Sequence, residues 1–552
     1  MKTYDPAEAR RSRHSPAGLK IKRGDTMDRR EFLLRSAAVS GAVAWPAIAW
    51  PSMSLSQSAP SSAAELTLHP QPDAVKIPLT YSGLSYELAQ LTDPAFFSAA
   101  NRDLVAYFRL LSPNGVLRVG GNTSEFCWFR ANASTPEPKL HVPSGNSDTN
   151  WMPHRLFAIE PAAIDALAGF LEATGWRLIY GLNLGNSSPQ RAAEEAAYVA
   201  AKVGQRLEFF QIGNEPDLYH NASNGTRPPN WGFADYLEDW TAFAEAIALR
   251  VPSARFGGPD VGASSDWVIR FGEPVPARIG ARLIALTGHY YAEGPPNDPR
   301  MTTTRLLAGN PNIPAEMQRI EAGSRAHGRV YRMTEGNSCY RGGKPGMSDA
   351  FAAALWGGDY MLLLASLGCA GVNLHGGSSA FLTASLGDHT PGMDVAKTPQ
   401  KVKGGFYTPI STEPGSPDRA APIFYGMLLA NQLAGGMPLQ VEGLPTGVNA
   451  TAYAVQSDHG FKVAIFNKDE HQALDLILRV PLNLRPPGKV RRATAWRLAA
   501  PALDSTQGVT LAGASIGEHA AWRPMQAESL PFQSETAQIR VPAASAALVF
   551  LT

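Results

Sequence analysis

Sulfur and net charge are what this 552-residue chain has least of. Three cysteines cannot frame a disulfide scaffold, and no C-x-x-C pair offers zinc a thiolate site. No His, Asp and Glu cluster carries metal-ligand spacing, so neither a metal nor another cofactor is expected. Lys and Arg number 49 against 48 Asp and Glu. That balance argues against a nucleic-acid partner, because neutralising phosphates needs a basic excess. The hydrophobic fraction of 44% is that of a globular chain, which excludes wholesale disorder. The length points to two or three domains, or to one large α/β barrel with an addition.

The near-neutral total hides an asymmetry. Residues 1–49 hold ten Lys/Arg and five Asp/Glu, which leaves 39 against 43 beyond them, a mildly acidic body behind a basic leader. Within the leader, Arg29-Arg30-Glu31-Phe32-Leu33-Leu34 precedes small apolar residues that close on Ala47-Ile48-Ala49. Paired arginines, a moderately apolar stretch and an A-x-A ending are expected of a twin-arginine export signal, delivering the protein to the periplasm or beyond. The run from Ser36 to Trp50 falls short of the ~20 apolar residues of a membrane span, so no stable membrane insertion is expected after leader removal. Met27 is a candidate start. Residues 50–64 read as a disordered linker, and 65–77 as a strand joining a C-terminal β-domain.

From residue 78 to 436, strand signals alternate with helical stretches. Strand-like runs are 78–88, 116–120, 177–185, 207–213, 254–259, 283–290, 329–334 and 371–375, with helix-like segments such as 161–174, 191–203, 233–251 and 348–367 between them. Eight βα-type units predict a (β/α)8 TIM barrel, ending in a helix near 423–435. A doubly wound sheet competes, but no G-x-G-x-x-G follows the first strand. Residues 437–552 instead show short alternating runs, at 449–456, 461–466, 474–480, 492–497, 509–516 and 538–551, which predict an all-β sandwich with a structural role.

Asn214-Glu215-Pro216 ends the fourth barrel strand, and Thr334-Glu335 ends the seventh. Strand C-termini form the working face of such a barrel, so the two carboxyls face each other across its mouth. Glycoside hydrolysis needs that pair: one carboxyl protonates the departing oxygen, the other attacks the anomeric carbon, and a separation of about 5–5.5 Å gives retention. Either glutamate alone reads as well as a salt-bridged strand end. Arg118, ending the second strand, is placed to hold Glu335 ionised and aimed. Glu87, ending the first, suits a sugar hydroxyl. One tyrosine of His289-Tyr290-Tyr291 can hydrogen-bond the nucleophile, whereas His289 reads better as a core histidine satisfied by backbone. Cys339 lies four residues past Glu335 with no base indicated, so it, Cys127 and Cys369 read as buried or loosely paired residues, the odd count leaving at least one free.

Together Leu117-Arg118-Val119-Gly120-Gly121, Ile212-Gly213-Asn214-Glu215-Pro216, Gly258-Pro259-Asp260-Val261-Gly262, His289-Tyr290-Tyr291 and Thr334-Glu335 resemble glycoside hydrolase family 79, which holds bacterial β-glucuronidases and mammalian heparanases. The resemblance covers roughly residues 80–410. It implies Glu215 as acid/base and Glu335 as nucleophile, with Tyr291 on Glu335 and Asn214 reading the 2-hydroxyl. It implies Glu87 and Asn122 on other hydroxyls, and Tyr340, Gly405 and Tyr407 on the uronate carboxylate, with Phe406 competing for the last place. Arg341 and Lys344 add positive potential there or are plain exposed loop charges. No long cleavable linker and no basic row for a sulfated chain are present, which favours a retaining exo-β-glucuronidase acting on a glucuronic-acid-containing carbohydrate or glucuronide. The alternatives are another retaining β-glycosidase of this plan, a β-xylosidase or β-glucosidase, or a catalytically silent carbohydrate-binding protein.

Overall fold

Eight parallel strands close into a barrel: Ser82–Glu87, Val116–Gly120, Arg177–Leu182, Leu207–Ile212, Phe256–Val261, Leu283–Glu293, Val330–Cys339 and Val372–Gly376, taken below as the first to eighth. Each lies within or overlaps a run read from the sequence. The computed structural model describes residues 63–140, 152–221, 226–273, 277–387, 405–413, 415–480, 484, 490–525 and 527–552, all in one unit, Pro60–Thr552. The expected export leader, and the linker up to residue 62, lie outside them.

Strands buried on both faces explain the apolar runs, and helices cover the outside. Two helices show how the chain punctuates itself. Pro161–Thr174 opens on its proline and stops at Gly175, where a φ of 83° favours glycine and a Cβ would stand 2.8 Å from the Pro113 carbonyl oxygen. Pro189–Val203 opens behind Ser188, whose hydroxyl accepts from the Arg191 amide. At the barrel floor, Asn373 donates to the Leu84 and Val116 carbonyls while its oxygen accepts from Arg332, so the polar groups of that layer are satisfied. The seventh strand runs five residues beyond the expected end at Thr334, because it stays paired with the sixth as far as Cys339 and Glu293.

The β-domain is one curled sheet. Eleven strands among the described residues share a single hydrogen-bonded network. Leu476 and Ile539 from one half and Val463, Ala495 and Val549 from the other bury into a common core, so the halves pack face to face as in a sandwich. Ala64–Pro70 enters this sheet, antiparallel to Met437–Glu442 and parallel to Leu474–Arg479, with Leu66 and Leu68 fully buried. Two expected strands differ. The run 538–551 splits into Thr536–Val541 and Ser545–Leu551 at a turn where Ala544 takes a φ of 47°. In 509–516 only Thr510–Leu511 pairs as a strand, because the chain turns at Ala512 and Gly513.

Candidate active site

Glu215 and Glu335 meet at the barrel mouth. One carboxylate oxygen of each and one ring nitrogen of His289 lie within 4.8 Å of one another. Backbone irregularities aim these groups. A bulge between Met333 and Glu335 lets Thr334 and Glu335 both serve the interior, where strict alternation would turn one of them out. A second, between Pro259 and Val261, does the same for Asp260, whose φ is 62°. The two bulges are tied together, since Thr334 Oγ1 donates to Asp260 Oδ1 at 2.5 Å. Glu215 holds a left-handed φ of 50°, costly for a residue with a Cβ, and its amide is fixed by the Asp260 carbonyl at 2.8 Å.

Arg118 is the hub. Its Nη1 donates to Glu335 Oε2 at 2.5 Å, and its Nη2 donates to Asn214 Oδ1 and Asp260 Oδ2, both at 2.7 Å. Glu335 also accepts from the Tyr291 hydroxyl at 2.8 Å, as the resemblance implied. Burial alone would raise the Glu335 pKa, but His375, His289, Arg118 and Tyr291 outweigh it and hold the carboxyl down to about 2. Glu215 goes the other way. Burial raises its pKa, and the hydrogen bond from His289 offsets this only in part. Charge balance gives the reason. The carboxylates of Glu335 and Asp217 repel a negative charge on Glu215, so both burial and these neighbours disfavour its ionisation. Two carboxyls a few ångströms apart thus have opposite protonation preferences, as an acid and a nucleophile require.

The remaining predicted residues divide. Glu87, Asn122, Tyr291, Tyr340 and Tyr407 line one cavity of about 590 Å³ with the two glutamates. Glu87 accepts from the Thr123 amide and hydroxyl and faces His375 Nε2 at 3.3 Å. Asn214 lies just behind, donating to Asn122 Oδ1 at 3.2 Å. Tyr407 lines the cavity and Phe406 does not. Gly405 does not line it either: it packs on Leu382, and a Cβ there would come within 2.1 Å of Leu382 Cδ1. Of the two loop cations, Arg341 lines the cavity with its guanidinium over the Tyr340 ring, whereas Lys344 donates to the Asp298 carbonyl. The three cysteines are buried and unpaired with one another.

The β-domain matches the family model described as the glycosyl hydrolase family 79 C-terminal beta domain, over residues 452–548. A β-glucuronidase of Aspergillus niger is 25% identical over 437 residues, 75% of this chain and 74% of that protein. The β-domain is thus similar to the C-terminal domain of glycoside hydrolase family 79, and most of the chain is similar to a β-glucuronidase. Among solved structures, a 4-O-α-L-rhamnosyl-β-D-glucuronidase of Fusarium oxysporum matches this chain with a TM-score of 0.66 at 17% identity, covering 88% of this chain and 100% of the other. A family 51 arabinofuranosidase of Xanthomonas axonopodis pv. citri matches with a TM-score of 0.56 at 14% identity, covering 89% and 100%. At these identities the likeness is one of fold.

His289 corrects the sequence reading. It is no backbone-satisfied core histidine: Nδ1 faces Glu215 Oε1 at 3.0 Å and Nε2 faces Asp260 Oδ1 at 3.1 Å. Burial opposes its charge, yet Asp260, Glu335 and Glu215 raise its pKa to about 10. With a carboxylate facing each ring nitrogen, His289 links Glu215 and Asp260 into one charge network. The signal was present, since residues i and i+2 of a strand share a face and Tyr291 was already aimed at Glu335. Asp260, His375, Gln211 and Glu125 were also missed. Gln211 donates to Asp260 and accepts from Arg118 Nε. Glu125 accepts from the Asn214 and Leu184 amides, fixing the turn that presents Glu215.

Proposed function

We propose that this chain is a retaining exo-β-glucuronidase that removes terminal β-D-glucuronic acid from glycosides or polysaccharides. The observation that carries the reading is the carboxyl pair, close enough for double displacement and oppositely biased in protonation. Glu215 gives its proton to the glycosidic oxygen as Glu335 attacks the anomeric carbon, forming a glycosyl-enzyme and releasing the aglycone. Glu215, now ionised and partnered by the His289 cation, takes a proton from water, whose oxygen attacks the same carbon and restores Glu335. Tyr291 and Arg118 hold Glu335 ionised for each cycle.

At the glycone end, Glu87 and Asn122 suit sugar hydroxyls, while Tyr340 and Tyr407, with Arg341 beside them, suit the uronate carboxylate. Losing one hydrogen bond to a charged group corresponds to roughly a 10- to 100-fold effect. Tyr340→Phe is therefore expected to lower kcat/KM for aryl glucuronides by that factor and leave aryl glucosides nearly unaffected. Glucosides hydrolysed better than glucuronides by the unmutated enzyme would sink the specificity assignment.

The proposal extends to export through the Arg29-Arg30 leader, with N-terminal sequencing of the mature protein expected to begin after Ala49. Sequencing that recovers the leader intact on exported protein contradicts it. No helix among the described residues is long and apolar enough to cross a membrane.

A further inference from the structure

The turn that carries Glu215 is held from both sides by carboxylates outside the reacting pair. On the side of the third strand, Glu125 Oε1 accepts from the Asn214 amide at 2.7 Å, and its Oε2 accepts from the Leu184 and Gly185 amides at 2.9 and 2.5 Å. The peptide joining Leu184 to Gly185 also accepts through its carbonyl from Arg227 Nη2 at 3.1 Å, so its dipole links the two charges. On the side of the fifth strand, Asp217 Oδ1 accepts from the Gly262 amide at 2.8 Å, and its Oδ2 from the Ala263 and Ser264 amides, both at 2.9 Å. Glu125 is fully buried and Asp217 is 6% exposed. Between them Glu215 keeps its left-handed φ of 50°, and Gly262 lies so close that a Cβ there would stand 2.8 Å from the Glu215 carboxyl carbon.

The donors dictate a carboxylate at both places. Each oxygen of Glu125 and of Asp217 is met by a backbone N–H, whereas an amide side chain has only one acceptor oxygen. In Glu125→Gln or Asp217→Asn the new NH2 would face one of these N–H groups, whichever way it turned, and leave it buried without a partner. The turn would yield at its strained residue, Glu215, and shift the acid from the leaving oxygen. Asp217 also acts by charge. Glu215 is faced by His289 from the sixth strand, Glu335 from the seventh and Asp217 from its own turn, with Asp260 behind His289, Arg118 behind Asn214 and Glu87 lining the same cavity. Of its direct neighbours, His289 favours its ionisation, and Glu335 and Asp217 oppose it.

We propose that Glu125 and Asp217 are the positioning residues of the acid, clamping the 213–217 turn from both sides so that the Glu215 carboxyl is held at the leaving oxygen. The inference rests on the reading of Glu215 as that acid. Phenyl and 2,4-dinitrophenyl β-glucuronides test it, because only the first needs the proton. In Glu125→Gln, and separately in Asp217→Asn, kcat/KM for the phenyl compound is expected to fall about 10- to 100-fold, the size of one buried donor left unpaired, and for the dinitrophenyl compound by less than about threefold. The ratio of the two does not depend on how much of a sample is folded, and Asp217→Asn alone decides where Glu125→Gln yields no enzyme. Asp217→Asn should also move the alkaline limb of the pH profile for phenyl glucuronide to lower pH, since a charge opposing the ionisation of Glu215 is gone. Equal losses on both substrates in either variant overturn the proposal, as does an alkaline limb that Asp217→Asn leaves in place. A Glu215→Gln enzyme that loses equally on both substrates removes the acid assignment and the clamp with it. If no glucuronide is hydrolysed, the glucuronidase reading alone fails, and the same two leaving groups on the glycoside that is hydrolysed decide the clamp; hydrolysis of no aryl glycoside overturns both.

Discussion

Glu335→Gln is expected to lower kcat for every glucuronide by on the order of 10⁴-fold or more, with the fold intact by circular dichroism. The size follows from what the residue loses. An amide is isosteric with the carboxylate, so it still fits beside Arg118 and Tyr291. It has no anionic oxygen to bond the anomeric carbon, and no neighbour replaces it. Glu87 is engaged by Thr123, and Asp260 by Arg118, Gln211 and Thr334. The fold is expected to tolerate the change because Arg118 keeps Asp260 as its counter-ion. Unaltered turnover in Glu335→Gln would remove the residue from the chemistry.

Glu215→Gln is expected to act selectively. A general acid contributes roughly 10²- to 10⁴-fold, and only when the leaving oxygen needs a proton. Phenyl glucuronide should therefore lose about 10³-fold in kcat/KM, while 2,4-dinitrophenyl glucuronide, whose phenolate leaves unaided, should lose at most about tenfold. The pH profile changes with it. The acid works protonated, and burial raises its pKa above the ordinary carboxyl value, so activity in the unmutated enzyme persists above that value and falls as pH passes the raised one. The low pKa of Glu335, about 2, keeps the nucleophile ionised across the working range. Glu215→Gln should lose the alkaline limb. Equal losses on both substrates, or an alkaline limb that remains, would contradict the assignment.

The barrel was legible because parallel strands buried on both faces leave continuous apolar runs, as in Leu178–Leu182, and because proline and glycine mark helix ends. Glu215 and Glu335 were legible because strand ends face the cleft. What the sequence concealed is the network between them. Asp260 and Thr334 reach each other only through two bulges, which shift register by one residue and leave no periodic trace. His289 was misread because its partners, Glu215 and Asp260, lie 74 and 29 positions away, and only barrel closure brings them together. The turn after Val541 was hidden inside a run whose apolar residues continue on both sides of it. Gly405 was assigned to the sugar carboxylate by loop likeness, whereas packing on Leu382 explains the glycine.

The central claim is that Glu335 forms a covalent glycosyl-enzyme with glucuronic acid. A 2-deoxy-2-fluoro-β-glucuronyl fluoride tests it directly, because fluorine at C2 slows both steps while the fluoride leaving group preserves the first, so the intermediate accumulates. Peptide mass spectrometry is predicted to find one sugar per chain, attached to Glu335, with Glu335→Gln unlabelled. A label on any other residue, or hydrolysis of glucuronides with inverted first-formed product and no label, would contradict the account.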